Sequence, residues 1–284
     1  MEVKNIELLP FEHASTFRRL AAVAWAAPRD PSIYGTIQVR AERLQAWLEA
    51  ERARTGEHLT ITHAVARAVA ILLRRHPDLN AFVLGSRPVL RRDVDVFVQV
   101  AIPSAERVGE TDLSGVVVRQ ADTKDIAAIA GEVRSGAARI RQGEDAAFKA
   151  TKDQARILPG WLLGLGLRFV AFLQYRLNLS PKFLGAPRDP FGSAMVTSLG
   201  MHGISLGFAP FFPLGVAPLL VLVGAVEDVV IAEDGQPKVV RAFRLNGTMD
   251  HRVIDGMHAA VISKELKDIL ENPDQLARDP LAKG

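Results

Sequence analysis

Apolar residues alternate with polar ones in several short stretches and run without interruption in another. Within residues 93–102 valine or isoleucine occupies every second position, and a period of two predicts a strand with one buried face. Residues 218–226 (PLLVLVGAV) are almost wholly apolar, which is typical of a central strand buried on both faces. Residues 229–232 and 238–242 flank Glu-Asp-Gly at 233–235, so this part of the chain is predicted to form a β-hairpin.

The rest of the pattern adds strands and helices in alternation. Further strands are predicted at residues 35–40, 115–119, 193–198 and from Phe243 towards Met249. Apolar residues recur at helical spacing in residues 17–25, 41–54, 63–75, 126–141 and 256–270. Thr60 or Thr62 is expected to cap the third of these helices, and Asp122 or Thr123 the fourth. We find no repeat and no dividing linker, and therefore predict a single α/β domain over residues 1–284.

Residues 157–179 (ILPGWLLGLGLRFVAFLQYRLNL) do not fit an ordinary surface helix, because they are too apolar. Proline and glycine interrupt the run, and its uninterrupted part is shorter than the roughly 20 residues that cross a bilayer. A buried helix or the wall of a substrate channel is the favoured interpretation. A helix lying on a membrane surface, with Arg168 and Arg176 reaching outwards, is the less favoured alternative.

Composition narrows the classes of function. The chain has 284 residues, 48% of them hydrophobic, and a net charge of +3, with no long basic run, so we do not expect nucleic-acid binding. Cysteine is absent from the sequence, which excludes disulfides, thiolate nucleophiles and cysteine-based metal sites, and we expect no metal. The first residues lack a charged segment followed by an apolar run, so a cytoplasmic location is expected.

Candidate chemistry is concentrated in residues 248–258 (TMDHRVIDGMH). His251 offers the natural base near neutral pH. Asp255, four residues later at the start of a predicted helix, can accept backbone N–H groups or pair with an arginine. A histidine and an aspartate at this spacing are common by chance, and His251 as a turn residue with Asp255 as a helix cap is the structural alternative.

Three stretches of sequence together resemble a known family. DHRVIDG with its following amphipathic helix, residues 195–203 (MVTSLGMHG) and residues 63–83 (HAVARAVAILLRRHPDLNAFV) are similar to the catalytic domain of the 2-oxoacid dehydrogenase acyltransferases, within the chloramphenicol acetyltransferase-like superfamily. The resemblance covers roughly residues 9–273. It implies a two-layer α/β sandwich in which helices cover one face of a mixed β-sheet.

Some positions depart from the family's pattern. Thr197 stands where the family has serine, and Ser198 where it has asparagine. Nothing in the chain resembles a lipoyl domain or a peripheral subunit-binding domain, and residues 157–190 resemble an apolar insertion. We therefore expect a stand-alone relative of these enzymes.

The resemblance implies direct acyl transfer from a coenzyme A or carrier thioester to a thiol, hydroxyl or amine, with no bound cofactor. His251 is the implied general base and Thr197 the implied donor to the oxyanion, with Ser198 as the alternative donor. Asp255 is expected to hold the turn through an arginine, Arg18 first and Arg19 second.

The family's active site lies between subunits of a trimer, so a homotrimer is implied, with a tunnel for coenzyme A and for the acceptor. Leu162, Phe169 and Phe172 are expected to line the acyl or acceptor end of that tunnel. Two alternatives stay open at this point: a non-catalytic trimeric binding protein of the same fold, and an acyltransferase that acts on a lipoyl domain supplied by another chain.

Overall fold

A computed structural model describes residues 31–84, 87–103, 111–142, 159–180, 186–213 and 215–277. The predicted helix at residues 17–25, as well as Arg18 and Arg19, lies outside this range.

The elements follow one another in the order β1 (Ser32–Arg40), α1 (Glu42–Thr55), α2 (Ile61–Arg75), β2 (Ala81–Leu84), β3 (Arg87–Leu90), β4 (Val96–Pro103), β5 (Thr111–Val118), α3 (Ile126–Arg141), α4 (Gly160–Tyr175), β6 (Ala194–Ser198), β7 (Leu219–Val223), β8 (Glu227–Glu233), β9 (Gln236–Asp250) and α5 (Gly256–Glu271). Short 3-10 turns lie at Pro77–Leu79, Ala121–Thr123, Gly200–His202 and Pro273–Ala277. The predicted α/β alternation is confirmed.

Seven strands of the described chain form one mixed sheet. Its order is β1-β9-β7-β6-β4-β5, and β8 pairs with the first half of β9. β6 runs parallel to both β4 and β7, whereas the other neighbours are antiparallel. β2 and β3 form a separate hairpin. The two predicted runs at 238–242 and 243–249 are one 15-residue strand, β9.

The main core lies between one face of this sheet and its helices. α2 is the central helix, buried from Ala64 to Leu73, and it contacts β4, β6 and β7. α5 packs on β1, and α3 packs on β4 and β5. Val96, Val196 and Val221 are among the sheet residues that point into this core. Helices on one face of a mixed sheet are the architecture that the resemblance implied.

Helix caps resolve one open alternative and correct one prediction. Thr60, rather than Thr62, caps α2, and its side chain accepts the His63 N–H while the His63 ring accepts the Thr60 N–H. The prediction of Asp122 or Thr123 as the cap of α3 is wrong, because both lie in a 3-10 turn and Asp125 caps the helix. The chain turns at Gln120, whose φ is 48°, and this extra turn delays the start of α3.

Helix α4 also differs from its favoured interpretation. The helix forms, but none of its residues is buried. Trp161 is 74% exposed and Leu165 is 60% exposed, so within a single chain α4 is not a buried helix. No helix in the described ranges is long and apolar enough to cross a membrane.

Candidate active site

The turn that carries His251 begins where β9 ends. Asp250 is the last residue of β9, and its N–H donates to the Pro218 carbonyl oxygen at 2.9 Å. Its own carbonyl oxygen accepts the N–H groups of Val253, at 3.0 Å, and Ile254, at 2.9 Å. The side chain of Ile254 is completely buried. The Asp250 carbonyl oxygen therefore holds the start of the turn, and the buried Ile254 side chain holds its end.

An arginine–carboxylate pair closes the same turn on its outer side. The Asp250 carboxylate accepts the Arg252 backbone N–H at 2.9 Å and also binds the guanidinium, with 2.6 Å from Nη2 to Oδ2. This contact raises the pKa of Arg252. Two parallel N–H···O bonds restrict orientation more than a single ion pair does. Because Arg252 directly follows His251, the pair limits the directions in which the imidazole can point.

The His251 ring is held in a defined tautomer. Its Nδ1 lies 3.0 Å from the Ile254 carbonyl oxygen. A carbonyl oxygen can only accept, so Nδ1 must carry the proton, and Nε2 of the neutral ring keeps its lone pair. The residue is exposed. The geometry therefore presents an oriented base to the exterior of the chain.

Asp255 caps α5. Its carboxylate accepts the His258 N–H at 2.9 Å, and the His258 ring accepts the Asp255 N–H at 3.3 Å. The His258 N–H lowers the pKa of Asp255, and the Met257 N–H acts in the same direction. The capping role is the structural alternative raised by the sequence. The predicted arginine partners, Arg18 and Arg19, lie outside the described residues.

Thr197 and Ser198 end strand β6, and their hydroxyl groups differ in their hydrogen-bond contacts. Thr197 is 8% exposed, and its hydroxyl has no hydrogen-bond partner within the described residues. Ser198 Oγ accepts the Gly200 N–H at 3.3 Å. A hydroxyl that accepts keeps its own proton, so both groups can donate to a ligand, and Thr197 carries the one that no described contact already orients.

Polar side chains on the face of the sheet opposite the helices hold the segment that follows Thr197. Asn246 and Thr248 of β9 are fully buried. Asn246 Nδ2 donates to Ser205 O at 3.3 Å, and Thr248 Oγ1 donates to Ala209 O at 2.8 Å. Thr36 Oγ1 donates to Asn246 Oδ1 at 2.9 Å. Our sequence analysis missed these residues, although their signal, polar residues at alternate positions of an otherwise apolar strand, was present.

Within one chain the strand register separates Thr197 from Asp250, the residue before His251. Thr197 is paired with Leu222 of β7, which in turn is paired with Asn246 of β9. His251 follows Asp250, and β9 stays extended from Asn246 to Asp250. Four strand residues at about 3.4 Å each, together with two strand spacings of about 4.8 Å, separate the Thr197 and Asp250 Cα atoms by about 16 Å. A base and an oxyanion donor that act on one substrate must approach to about 3 Å of it.

The remaining predicted site residues lie on α4. Leu162, Phe169 and Phe172 are 38%, 54% and 48% exposed, and none of them lines a described cavity. A small apolar cavity of about 30 Å³ lies between the sheet and α5 and is lined by residues such as Gly247, Met249 and Leu266. No cluster of three or more metal-ligating side chains occurs in the described ranges.

Comparison with known proteins gives one family. The model of the family described as 2-oxoacid dehydrogenases acyltransferase (catalytic domain) matches residues 15–151 and 191–278. The dihydrolipoyllysine-residue acetyltransferase component of the Zymomonas mobilis pyruvate dehydrogenase complex is 24% identical over 86% of the chain and 45% of its own length. The succinyltransferase component of the Escherichia coli 2-oxoglutarate dehydrogenase complex is 24% identical over 81% of the chain and 45% of its own length. The chain thus spans less than half of these relatives.

Solved structures show the same fold. The cubic core of a pyruvate dehydrogenase complex matches with a TM-score of 0.63 and 20% identity, over 88% of this chain and 85% of that one. The dihydrolipoamide acetyltransferase of Azotobacter vinelandii matches with a TM-score of 0.62 and 19% identity, over 88% and 85%. The study of that enzyme concerns the catalytic role of a serine, a histidine and an asparagine four residues beyond the histidine.

Proposed function

Because this chain belongs to the 2-oxoacid dehydrogenase acyltransferase (catalytic domain) family, we propose that it transfers an acyl group between a coenzyme A thioester and a dihydrolipoyl thiol. The acceptor is inferred from relatives named as dihydrolipoyllysine-residue acyltransferases. Other thiols, hydroxyl groups and amines are the alternative acceptors, and the assay described below distinguishes them from dihydrolipoamide. Neither substrate requires a bound cofactor.

One observation supports this proposal: an oriented histidine base and an uncommitted threonine hydroxyl occur in one chain at positions that its strand register separates. His251 has an oriented, exposed base. Thr197 has an uncommitted hydroxyl, and the register of β6, β7 and β9 places its Cα atom about 16 Å from that of Asp250, the residue before His251. Two neighbouring copies can supply His251 and Thr197 to one site. We propose a homotrimer, since a closed ring of identical contacts completes every site.

The proposed reaction follows from these two groups. Nε2 of His251 removes the proton from the acceptor thiol, and the sulfur attacks the thioester carbonyl carbon. The resulting oxyanion accepts a hydrogen bond from the Thr197 hydroxyl of the neighbouring copy. The intermediate then collapses, the carbon–sulfur bond to coenzyme A breaks, and the protonated His251 returns its proton to the leaving thiolate. Ser198 is the alternative donor.

Asp255 supports the same turn without contacting substrate in this proposal. It stands four residues after His251, at the spacing at which the Azotobacter enzyme has its asparagine. Its cap on α5 fixes the distal end of the turn. An additional arginine contact, from Arg18 or Arg19, stays a prediction.

Residues 152–190 separate the two parts of the chain that match the family model. We propose that residues 157–190, within this gap, are an insertion into a single catalytic domain spanning residues 1–284. A role for Leu162, Phe169 and Phe172 in acyl selection requires a neighbouring chain to cover them. A cytoplasmic location stays a prediction.

The direct test is release of free coenzyme A from acetyl-CoA in the presence of dihydrolipoamide. The wild-type chain is expected to catalyse it, and His251→Ala to lose the activity by at least about 100-fold. His202→Ala, an exposed histidine on the turn after β6, is the matched control and should stay active. Activity with a hydroxyl or amine acceptor but not with dihydrolipoamide would show that the acceptor is not a dihydrolipoyl thiol.

Two alternatives are separated by the same assay. Transfer only to a lipoyl domain, and not to free dihydrolipoamide, would indicate a subunit that acts on another chain's domain. Absence of transfer to every acceptor class, with a folded oligomer that still binds coenzyme A, would indicate a binding protein of the same fold.

A further inference from the structure

Helix α4 places its most apolar side outwards. At 100° per residue, Trp161, Leu162, Leu165, Phe169 and Phe172 fall within about 100° of one another around the helix axis. These five residues, here called the outer stripe, are between 38% and 74% exposed. Leu163, Leu167 and Val170 on the other side are partly covered. A helix on the surface of a water-soluble protein shows the opposite arrangement.

The charges near the outer stripe are of one sign. Arg168 and Arg176 are exposed, and residues 160–180 contain no aspartate or glutamate. Asp189, the acidic residue that α4 contacts through Tyr175, is ion-paired with Arg91. The outer stripe and the two arginines of α4 therefore form a surface that is apolar and carries positive charge.

The end of α4 is fixed to the rest of the chain. Gln174 Nε2 donates to Pro187 O at 2.7 Å, and the Tyr175 hydroxyl lies 3.5 Å from Asp189 Oδ1. The Arg91–Asp189 pair next to it is largely buried. Gln174 lies on the inner side of the helix and Tyr175 on its flank, so these contacts leave the outer stripe exposed.

We propose that the outer stripe docks on the surface of an anionic phospholipid bilayer. Its aromatic and leucine side chains would enter the headgroup boundary, while Arg168 and Arg176 reach the phosphates. The helix has 16 residues, which is about 24 Å at 1.5 Å each and shorter than the roughly 30 Å hydrocarbon layer. It therefore lies along the surface.

Charge also distinguishes the bilayer from a second copy of the chain. Packing two outer stripes together would enclose arginines from both copies without a carboxylate in either segment, and an unpaired buried charge is costly. A bilayer rich in anionic lipid supplies the missing negative charge. This inference does not depend on the acyltransferase proposal, because its readout is binding.

The test is flotation of the full chain with vesicles of phosphatidylcholine, alone or mixed equally with phosphatidylglycerol. We expect binding to the mixed vesicles with a blue shift of tryptophan emission. The double variant Trp161→Ser, Leu165→Ser should weaken binding by on the order of tenfold or more. Arg168→Gln with Arg176→Gln should weaken binding chiefly to the anionic vesicles.

Leu90→Ser with Val230→Ser is the matched control, since these residues are 65% and 70% exposed on other elements and should leave binding unchanged. Vesicle binding that survives the outer-stripe variant would overturn the proposal, because another surface would be responsible. Absence of vesicle binding, with an oligomer that dissociates in the outer-stripe variant, would overturn it in favour of a second copy.

Discussion

Nδ1 of His251 lies 3.0 Å from the main-chain oxygen of Ile254, three residues further along the chain. This contact orients the imidazole within its own turn and directs Nε2 away from the core. The orientation depends on the turn itself, which the Asp250 main chain and the Asp250–Arg252 pair hold in place.

Arg252→Ala should lower kcat by ten- to a hundredfold, on the order expected when a catalytic group loses its position. The unfolding midpoint should change little, because the Arg252 side chain is 55% exposed. Arg252→Lys should recover only part of kcat, since an ammonium group cannot form both parallel bonds. Steady-state kinetics with thermal unfolding checks this. An unchanged kcat in Arg252→Ala would show that the turn holds His251 without this pair.

Thr197→Ala should reduce kcat by on the order of 100-fold, which is the usual loss of one oxyanion donor. Thr197→Ser keeps the hydroxyl and should retain most of the activity. Ser198→Ala is the matched comparison, and it should have a smaller effect because the proposal assigns the oxyanion contact to Thr197, whereas the Gly200 N–H holds the Ser198 oxygen locally. A larger loss in Ser198→Ala than in Thr197→Ala would assign the donor to Ser198.

His63 should make the chain less stable in acid. Burial, followed by the nearby charge of His58, lowers the pKa of His63 to about 4 from 6.5. The unfolded chain therefore takes up a proton below pH 6.5 that the folded chain does not accept until about pH 4. The free energy of unfolding should fall across that interval by about 3 kcal/mol, from a pKa difference of about 2.5.

His63→Gln tests this directly, because glutamine can still accept the Thr60 N–H of the capping box. Urea unfolding at several pH values should show a weaker loss of stability in this variant than in the wild type. His202→Gln, at an exposed position, should behave as the wild type. If the free energy of unfolding falls equally with pH in His63→Gln and in the wild type, the acid sensitivity comes from other groups.

Gly247→Ala should be neutral or stabilising by up to about 1 kcal/mol. A Cβ there would lie 3.7 Å or more from its neighbours, and it would point towards the cavity of about 30 Å³ between the sheet and α5. Gly224→Ala is the contrasting variant, because its Cβ would lie 2.4 Å from the Ser205 main-chain oxygen. It should destabilise the chain and displace the segment after Thr197. Equal unfolding free energies for the two variants would contradict this packing.

The sequence predicted the parts of the fold that depend on local pattern. Alternation located β4, the continuous apolar run located β7, and helical spacing located α2 and α5. The start of α3 was misplaced because Asp122, Thr123 and Asp125 are all good caps, and only the tertiary contacts of the preceding turn distinguish them. The β2–β3 hairpin was missed because its four-residue strands carry little periodic signal.

The sequence indicated the candidate site residues but not their arrangement in space. The DHRVIDG motif indicated His251, yet the sequence could not show that the Ile254 carbonyl oxygen sets its tautomer. Strand order is a non-local property, so no local pattern could place Thr197 and His251 at different ends of β7. The sequence could not predict the orientation of α4 either. An apolar helix can be buried or exposed, and its exposure depends on which side neighbouring elements cover.

The most direct test of the shared site mixes two variants in one oligomer. His251→Ala and Thr197→Ala should each be nearly inactive as separate preparations. After the two are unfolded together and refolded at equal amounts, about a quarter of the sites should combine an intact His251 with an intact Thr197 of the neighbour, and acyl transfer should recover to about that fraction of wild type. Recovery no greater than the sum of the two separate preparations, in an oligomer verified to contain both, would contradict a site built from two chains.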